Sequence, residues 1–189
     1  MKKNVSGFTI VELLIVIVVI GILAAITIVA YNGMQQKAKN TSMVASANQA
    51  IKLIKSYDAL NGGFPYSGSA CVTTTCTDFS GATASQNSTL TDNLRSIGTP
   101  PATVPTPGNG TYSGIWYNMR AAGATFDGQG ASKRVMLLMY WLTGQNQDCG
   151  VADVAVQGVG EAWGRSSTKY TANNLGANTT ACWIPIIFS

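Results

Sequence analysis

The sequence predicts an α+β fold in which one long N-terminal helix packs on a four-stranded antiparallel sheet. Three observations support this prediction. Residues 13–31 are apolar apart from Thr27 and carry no formal charge. Apolar side chains then recur at helical spacing, and the C-terminal half contains four segments rich in aliphatic and aromatic residues. A chain of 189 residues has room for this helix and one globular domain.

The apolar run has the length and composition of a membrane-spanning helix. At about 1.5 Å per residue, residues 13–31 would cover the hydrocarbon thickness of a bilayer. Lys2 and Lys3 precede the run and no basic residue lies within it, which predicts a cytoplasmic N-terminus. We therefore expect a single-pass membrane protein in which residues 8–31 form a transmembrane and assembly helix.

Two simpler interpretations of this segment are an ordinary secretory signal and a plain single-span anchor. An ordinary secretory signal would have a shorter apolar region with a small-residue cleavage site beyond it. A plain single-span anchor would be the default for an arbitrary apolar run of this length. Glu12 weighs against the anchor, because an ionisable group in a membrane helix costs roughly 2.5–3.5 kcal/mol at the centre, less near the interface, and usually has a partner.

The segment Gly7-Phe8-Thr9-Ile10-Val11-Glu12-Leu13 and the apolar run after it resemble the N-terminus of type IV prepilins. The resemblance covers roughly residues 5–31 and beyond them is one of layout. It implies that prepilin peptidase cuts between Gly7 and Phe8, removes residues 1–7 as a leader and methylates the new amine, giving N-methylphenylalanine. It also implies that Glu12 pairs with the terminal amine of a neighbouring subunit and sets the axial register of a fibre.

Two further positions in the run bear on helix packing. Gly21 and Ala25 form a small-xxx-small pair that could let neighbouring helices approach closely in a fibre. The alternative is that Gly21 simply lies in a spanning helix, where glycine is common. Many family members have a proline eight residues after this glycine, often within a stretched segment of the fibre. This chain has Val29 there and departs from the family pattern.

Beyond the membrane, residues 32–61 are expected to continue the helix as an amphipathic segment that ends at Asn61-Gly62-Gly63. Residues 62–110 are interpreted as a connecting loop containing a short helix over residues 91–97. For that helix we predict Thr91 as the N-cap, Asp92 in the first turn and Gly98 as the stop. The apolar stripe predicted on the long helix consists of Val44, Ala47, Ile51, Ile54 and Tyr57.

The last region, residues 111–189, is expected to hold the antiparallel sheet and a cysteine-bounded C-terminal segment. Residues 111–120 and 134–142 are predicted to pair as a hairpin. Pro185 would confine the last strand to an edge or a bulge. The remaining two strands are predicted at residues 151–156 and 181–188.

Four cysteines lie in the region predicted to be outside the membrane: Cys71, Cys76, Cys149 and Cys182. An even count in an exported domain favours disulfides, and four cysteines allow three pairings. We favour Cys71 with Cys76, because this pair is local, and Cys149 with Cys182, which closes the C-terminal segment. A zinc site is the competing interpretation, but Cys149 and Cys182 are far apart in sequence and the chain has no histidine.

The composition does not favour an enzyme, a cofactor or a metal. Without histidine the commonest general base is missing, and no Ser-His-Asp set can form. The glycines between Gly158 and Gly164 are interpreted as a turn rather than a dinucleotide loop. Asp148 and Asp153 are weak candidates for calcium ligands and are better interpreted as solvated carboxylates. Glycosylation triplets begin at Asn40, Asn87 and Asn178.

The net charge of +4 falls by two when the leader is removed, which does not support a nucleic-acid partner. The charged fraction of 11%, with abundant Ser, Thr, Asn, Gln and Gly, is typical of a secreted, surface-exposed protein. The resemblance implies a type IV pilin that polymerises with other subunits into a cell-surface filament for adhesion, twitching motility or DNA uptake. Its implied partners are prepilin peptidase and an inner-membrane assembly platform with its motor. The alternatives are a pseudopilin of a type II secretion system and a membrane-tethered binding domain that does not polymerise.

Overall fold

A computed structural model describes residues 7–107, 111–129, 134–157, 162–171 and 178–188. The chain forms two compact units, Met1–Lys37 and Ala38–Ser189. The predicted α+β fold is confirmed by a long N-terminal helix, a four-stranded antiparallel sheet and two disulfides. The elements in chain order are α1 (Ile10–Asn61), β1 (Ser69–Cys71), β2 (Thr75–Thr77), β3 (Thr83–Ser85), α2 (Ser88–Ile97), β4 (Trp116–Met119), β5 (Thr125–Phe126), β6 (Val135–Thr143), β7 (Ala155–Gln157), β8 (Ala162–Arg165) and β9 (Thr179–Ile187).

Helix α1 has no break and ends where its sequence predicts. It continues through Val29, the position at which many relatives have proline. Gly62 follows the last helical residue with a φ of 69°, and its N–H donates to the carbonyl oxygen of Asp58 at 2.8 Å. Glycine adopts this left-handed conformation freely, so the Gly62 stop is confirmed.

Within Ala38–Ser189, one face of α1 is buried against the main sheet. The core cluster joins this face to Tyr117, Leu138 and Ile184 of the sheet. Val44 and Tyr57 of the predicted stripe are only partly buried. The residues of α1 that contact the sheet are centred slightly to one side of the predicted stripe. The buried residues of α1 are Met43, Ala47, Ala50, Ile51 and Ile54.

The main sheet has the strand order β1-β4-β6-β9, and each neighbouring pair is antiparallel. The β4–β6 pairing confirms the predicted hairpin. Strand β9 lies at the edge, with Pro185 opposite Leu137 of β6. Since proline lacks a backbone N–H, the edge is the position where it costs least, and that prediction is also confirmed.

The predicted position of one of the four strands in the main sheet is wrong. The segment predicted as a strand at residues 151–156 contributes only its end, as β7 (Ala155–Gln157), to a separate sheet ordered β5-β8-β7. The fourth strand of the main sheet is instead β1, from the region interpreted as a loop. Strand β1 has only three residues, Ser69, Ala70 and Cys71, too short and too small to give an alternating apolar signal.

The separate sheet covers the face of the main sheet that points away from α1. Phe126, Ala155 and Trp163 from this sheet pack with Trp141 and Trp183 from the main sheet. The rings of Trp163 and Trp183 meet edge to face, with centroids 5.5 Å apart. The main sheet is therefore buried on both faces, which explains why all of β6 except its last residue is buried.

The connecting region is more ordered than a loop. It contains β1, the β2–β3 hairpin and α2. The predicted N-cap of α2 is wrong: the cap is Asn87, whose side chain accepts from the Leu90 N–H, while Thr91 is buried within the helix. Asp92 consequently lies beyond the first turn, whereas the predicted stop at Gly98 is confirmed.

Candidate functional site

The processed bond proposed from the sequence lies in extended, exposed chain ahead of α1. Gly7 and Phe8 precede the first helical residue, and the Phe8 side chain is 77% exposed. A Cβ built on Gly7 would meet no atom within 4 Å. The leader residues 1–6 lie outside the described residues. A peptidase would therefore reach the Gly7–Phe8 bond without unfolding any described element.

Glu12 has a local role that the sequence reasoning missed. The Thr9 backbone N–H and hydroxyl both donate to Glu12 Oε2, at 2.9 and 2.7 Å. The Glu12 N–H donates in return to Thr9 Oγ1 at 3.2 Å. This reciprocal arrangement is a capping box, and its sequence signal, Thr-x-x-Glu ahead of an apolar run, was available. The start of α1 at Ile10 is thus fixed by its own first turn.

The capping box leaves part of the carboxylate available. All three hydrogen bonds use Oε2 or the Glu12 N–H, and no described residue donates to Oε1. Phe8 lies four residues before Glu12, about one helical turn away. An amine created at Phe8 by cleavage, whether of this chain or of another copy, would have an acceptor at Oε1.

The first half of α1 exposes a continuous apolar surface. Its large apolar side chains between Ile10 and Met34 are 47–86% exposed. The most apolar 18-residue window has a mean hydropathy of 3.3 and is 0% buried, and α1 is the one helix of the described chain able to span a membrane by length and composition. A surface of this kind requires cover by lipid or by other apolar helices.

Gly21 and Ala25 lie in this same exposed segment. A Cβ added at Gly21 would meet nothing within 4 Å in the single chain. The close helix packing predicted for these two residues needs a second helix, so it stays a prediction.

Both favoured disulfides, Cys71–Cys76 and Cys149–Cys182, are present. The first joins β1 to the β2–β3 hairpin. The second ties the segment after β6 to the edge strand β9. Near it the Tyr140 hydroxyl donates to the Cys149 carbonyl oxygen, and burial raises the pKa of Tyr140 well above its usual value. Together these contacts anchor the C-terminal segment to the sheet.

The aspartates considered as calcium ligands are engaged separately. Lys169 Nζ lies 2.9 Å from Asp148 Oδ2, while Arg165 pairs with both Asp153 and Asp127. A backbone hydrogen bond from Gly150, then Lys169, holds the pKa of Asp148 below its usual value. Across the described residues no group of three or more Cys, Asp or Glu side chains could hold a metal ion. The Gly158–Gly164 segment lies partly outside the described residues.

The glycosylation triplets differ in how their side chains are used. Asn40 Nδ2 donates to the Thr143 carbonyl at 2.8 Å, and its Oδ1 accepts from the Thr143 N–H. Asn87 caps α2. The Asn178 triplet ends in Thr180, which is fully buried. Two of these asparagines therefore have structural roles, and the third belongs to a triplet whose hydroxyl is inaccessible.

Comparison with known proteins connects the N-terminal segment to a family. Residues 2–28 match the model described as the prokaryotic N-terminal methylation motif. The chain is also similar to the type IV wide pilus major component PilA4 of Thermus thermophilus, with 39% identity over 62 residues, or 33% of this chain. The match spans about half of that relative, 47% of its length. No solved structure matches the chain. The chain thus carries the N-terminal methylation motif on its capped, apolar helix and is similar over a third of its length to a type IV pilus component.

Proposed function

We propose that this chain is a structural subunit of a type IV pilus. In this proposal the leader, residues 1–7, is removed at the Gly7–Phe8 bond, Phe8 is N-methylated, and the mature chain polymerises through its N-terminal helix. The observation that carries the proposal is the exposed apolar surface of α1, which has a carboxylate one turn from the processed bond. A plain membrane anchor gives no reason for a carboxylate at that position.

The geometry at Glu12 supports a specific assembly step. Glu12 Oε2 is occupied by Thr9, while Oε1 has no donor among the described residues. In an apolar surrounding, a carboxylate with one unmet oxygen gains most from a charged donor. The terminal amine of an incoming subunit is such a donor. It would bind at one depth along α1 and so set the axial register.

The proposed path begins in the membrane and ends outside the cell. The apolar half of α1 would hold the precursor in the bilayer with a cytoplasmic N-terminus, and the inner-membrane platform and motor would then extract it into the filament. The two disulfides are consistent with an exported unit. Adhesion, twitching motility and DNA uptake are the proposed roles of the filament.

The runner-up is a pseudopilin of a type II secretion system, which would use the same processing and the same Glu12 contact. The name of the relative, a pilus major component, favours the pilus. A membrane-tethered binding domain that never polymerises is the third candidate. Abundance in sheared filaments separates a major pilin from the other two candidates, because only a major pilin would dominate that fraction. A trace amount would indicate a minor subunit or a pseudopilin.

Substitutions at Glu12 and Thr9 test whether the carboxylate acts by charge or only by capping. Glu12→Gln keeps a side chain that can complete a capping box but removes the charge, whereas Glu12→Ala removes both. Thr9→Val weakens the cap and keeps the carboxylate. We expect both Glu12 variants to be cleaved but absent from sheared filaments, and Thr9→Val to assemble. Measurement is by immunoblot of the membrane and sheared fractions.

If Glu12→Gln assembled like the parent while Thr9→Val did not, Glu12 would be a helix cap and nothing more. The register role would then be wrong.

A further inference from the structure

The exposed face of α1 within Ala38–Ser189 carries positive charge. Lys52 and Lys55 are both exposed, on the side of the helix away from the buried residues Ala47 and Ile54. Among the described residues neither lysine takes part in a salt bridge or a hydrogen bond, and none joins Lys55 to the half-buried Asp58. The other exposed residues of α1 in this unit include Lys39 and Leu60, and the rest are polar or small.

The carboxylates of this unit are nearly all engaged within the chain. Asp127 and Asp153 pair with Arg165, and Asp148 pairs with Lys169. Asp78 accepts from the backbone of its own turn.

The exception among the described aspartates is Asp92, which is exposed near the middle of α2. Its carboxylate forms neither a salt bridge nor a hydrogen bond with the described residues. Arg95 follows three residues later and is also exposed, but no salt bridge joins it to Asp92. The exposed carboxylate of Asp92 thus lies on α2, and the exposed ammonium groups of Lys52 and Lys55 lie on α1. None of the three forms a salt bridge within the described residues.

We propose that Lys52 and Lys55 of one subunit bind Asp92 of a neighbouring copy of this chain. The inference rests on the proposed function, since it names a contact between subunits of the filament. The two surfaces are complementary in charge but lie on different elements, α1 and α2. In the proposed filament this contact would be heterologous, the type that propagates into an open helical assembly when the rotation does not close a ring.

The contact of Lys52 and Lys55 with Asp92 affects mainly the specificity and the rate of filament assembly. An exposed ion pair contributes little by itself and is screened by salt, with a Debye length of about 8 Å at physiological ionic strength. Like charges placed opposite each other in an interface are much more costly, which makes charge reversal more informative than neutralisation. The contact repeats at every subunit, so a small change in each is multiplied along the filament.

A charge swap tests the contact in the full-length chain in cells. The variants are Lys52→Glu with Lys55→Glu, Asp92→Lys, and the combination of all three. Each reversal alone is expected to lower the yield of sheared filaments about tenfold through like-charge repulsion, and the combination to restore at least half of the parental yield. Arg95→Gln is the matched control: it changes a neighbouring charge on α2 and is expected not to lower the yield.

Thermal unfolding of each purified variant in detergent serves as the folding control, with unchanged transitions expected because all of these side chains are exposed. If the parent forms filaments and the single reversals do too, the contact is wrong and the pilus subunit stands. Failure of the combined variant to recover, with intact folding, also overturns the contact. If the parent itself forms no filaments, the proposed function and this inference fall together.

Discussion

Glu12 is bonded to its own chain through one carboxylate oxygen and offers the other to a donor outside the described residues. The capping box and the proposed register contact therefore do not compete for the same atom. The cap holds the side chain in one rotamer, so Oε1, the oxygen proposed to bind the neighbouring amine, is presented in a fixed direction. This preorganisation lowers the entropy lost when the neighbouring amine binds.

The processing motif could be identified from sequence because it depends on a few residues at fixed spacing. The cap was not predicted, because a carboxylate at the start of an apolar run was interpreted only as a contact to a neighbouring subunit. The Thr9 hydroxyl and N–H explain the helix start without any neighbour.

Gly114 is the glycine at which a side chain is least tolerable. Its φ is 71°, and a Cβ would lie 2.3 Å from the Thr75 carbonyl oxygen and 2.5 Å from Cys76 Cβ. We predict that Gly114→Ala lowers the free energy of unfolding by at least about 3 kcal/mol, because both the conformation and the space exclude it. The measurement is urea unfolding in detergent, followed by tryptophan fluorescence.

Gly123→Ala is the matched control, since Gly123 has a φ of 90° but open space around its Cβ position. It should cost only the conformational strain, about 1–2 kcal/mol. Equal losses for the two variants would show that crowding at Gly114 is unimportant.

At the scale of elements, short strands were the part that sequence could not predict. Helix α1 is long and periodic, and Gly62 marks its end with a specific conformation. Strand β6 is an unbroken apolar run of eight residues followed by Thr143. Strand β1 has three residues and joins the sheet through pairing with β4 and the Cys71 disulfide, both of which are tertiary contacts. Local pattern carries no signal for such a strand.

The N-cap of α2 shows that prediction from local sequence has the same limit for a single residue. Thr91 and Asn87 are both acceptable caps by residue type. Burial of Leu90, Thr91 and Leu94 against the core decides in favour of Asn87. The apolar face that fixes the helix start is visible only once its partner is in place.

The two disulfides are predicted to differ in their contribution to stability. Cys71–Cys76 closes a separation of 5 residues and Cys149–Cys182 one of 33. In the chain-entropy model they contribute about 2 and nearly 4 kcal/mol, because a longer loop has more freedom to lose. Paired Cys→Ser variants, compared by urea unfolding in detergent, should show this order.

Reduction of the parent protein is the control for these variants, since it should reproduce the loss seen when both pairs are removed. A larger loss for the Cys71 and Cys76 pair would mean that its effect on the β1 pairing outweighs loop entropy.

At the scale of the whole molecule, the two units bury their apolar surface in different ways. Ala38–Ser189 is closed on itself, with α1 on one face of the main sheet and the β5-β8-β7 sheet on the other. The apolar side chains of Ile10–Met34 have no cover from the described residues. These side chains therefore need cover by lipid or by further copies of the chain, as in the proposed membrane precursor and filament.

Burial of the second face of the main sheet by another sheet was not predicted from the sequence. The segments rich in aliphatic and aromatic residues predicted strands but not two layers of them. The closure depends on strands of two to four residues meeting across long separations, such as Phe126 beside Trp163. Composition identifies the exported, disulfide-bonded class of protein, while the layering depends on contacts that no local segment encodes.

The most direct test is the mass of the mature N-terminus. Filaments sheared from cells that make this chain would be digested, and the N-terminal peptide would be identified by mass spectrometry. The account predicts that the peptide begins at Phe8 and carries one additional methyl group on its amine. A chain in the filament fraction that still carries residues 1–7 would contradict the account, because it would have no free amine at Phe8 for Glu12 of the neighbouring subunit to bind.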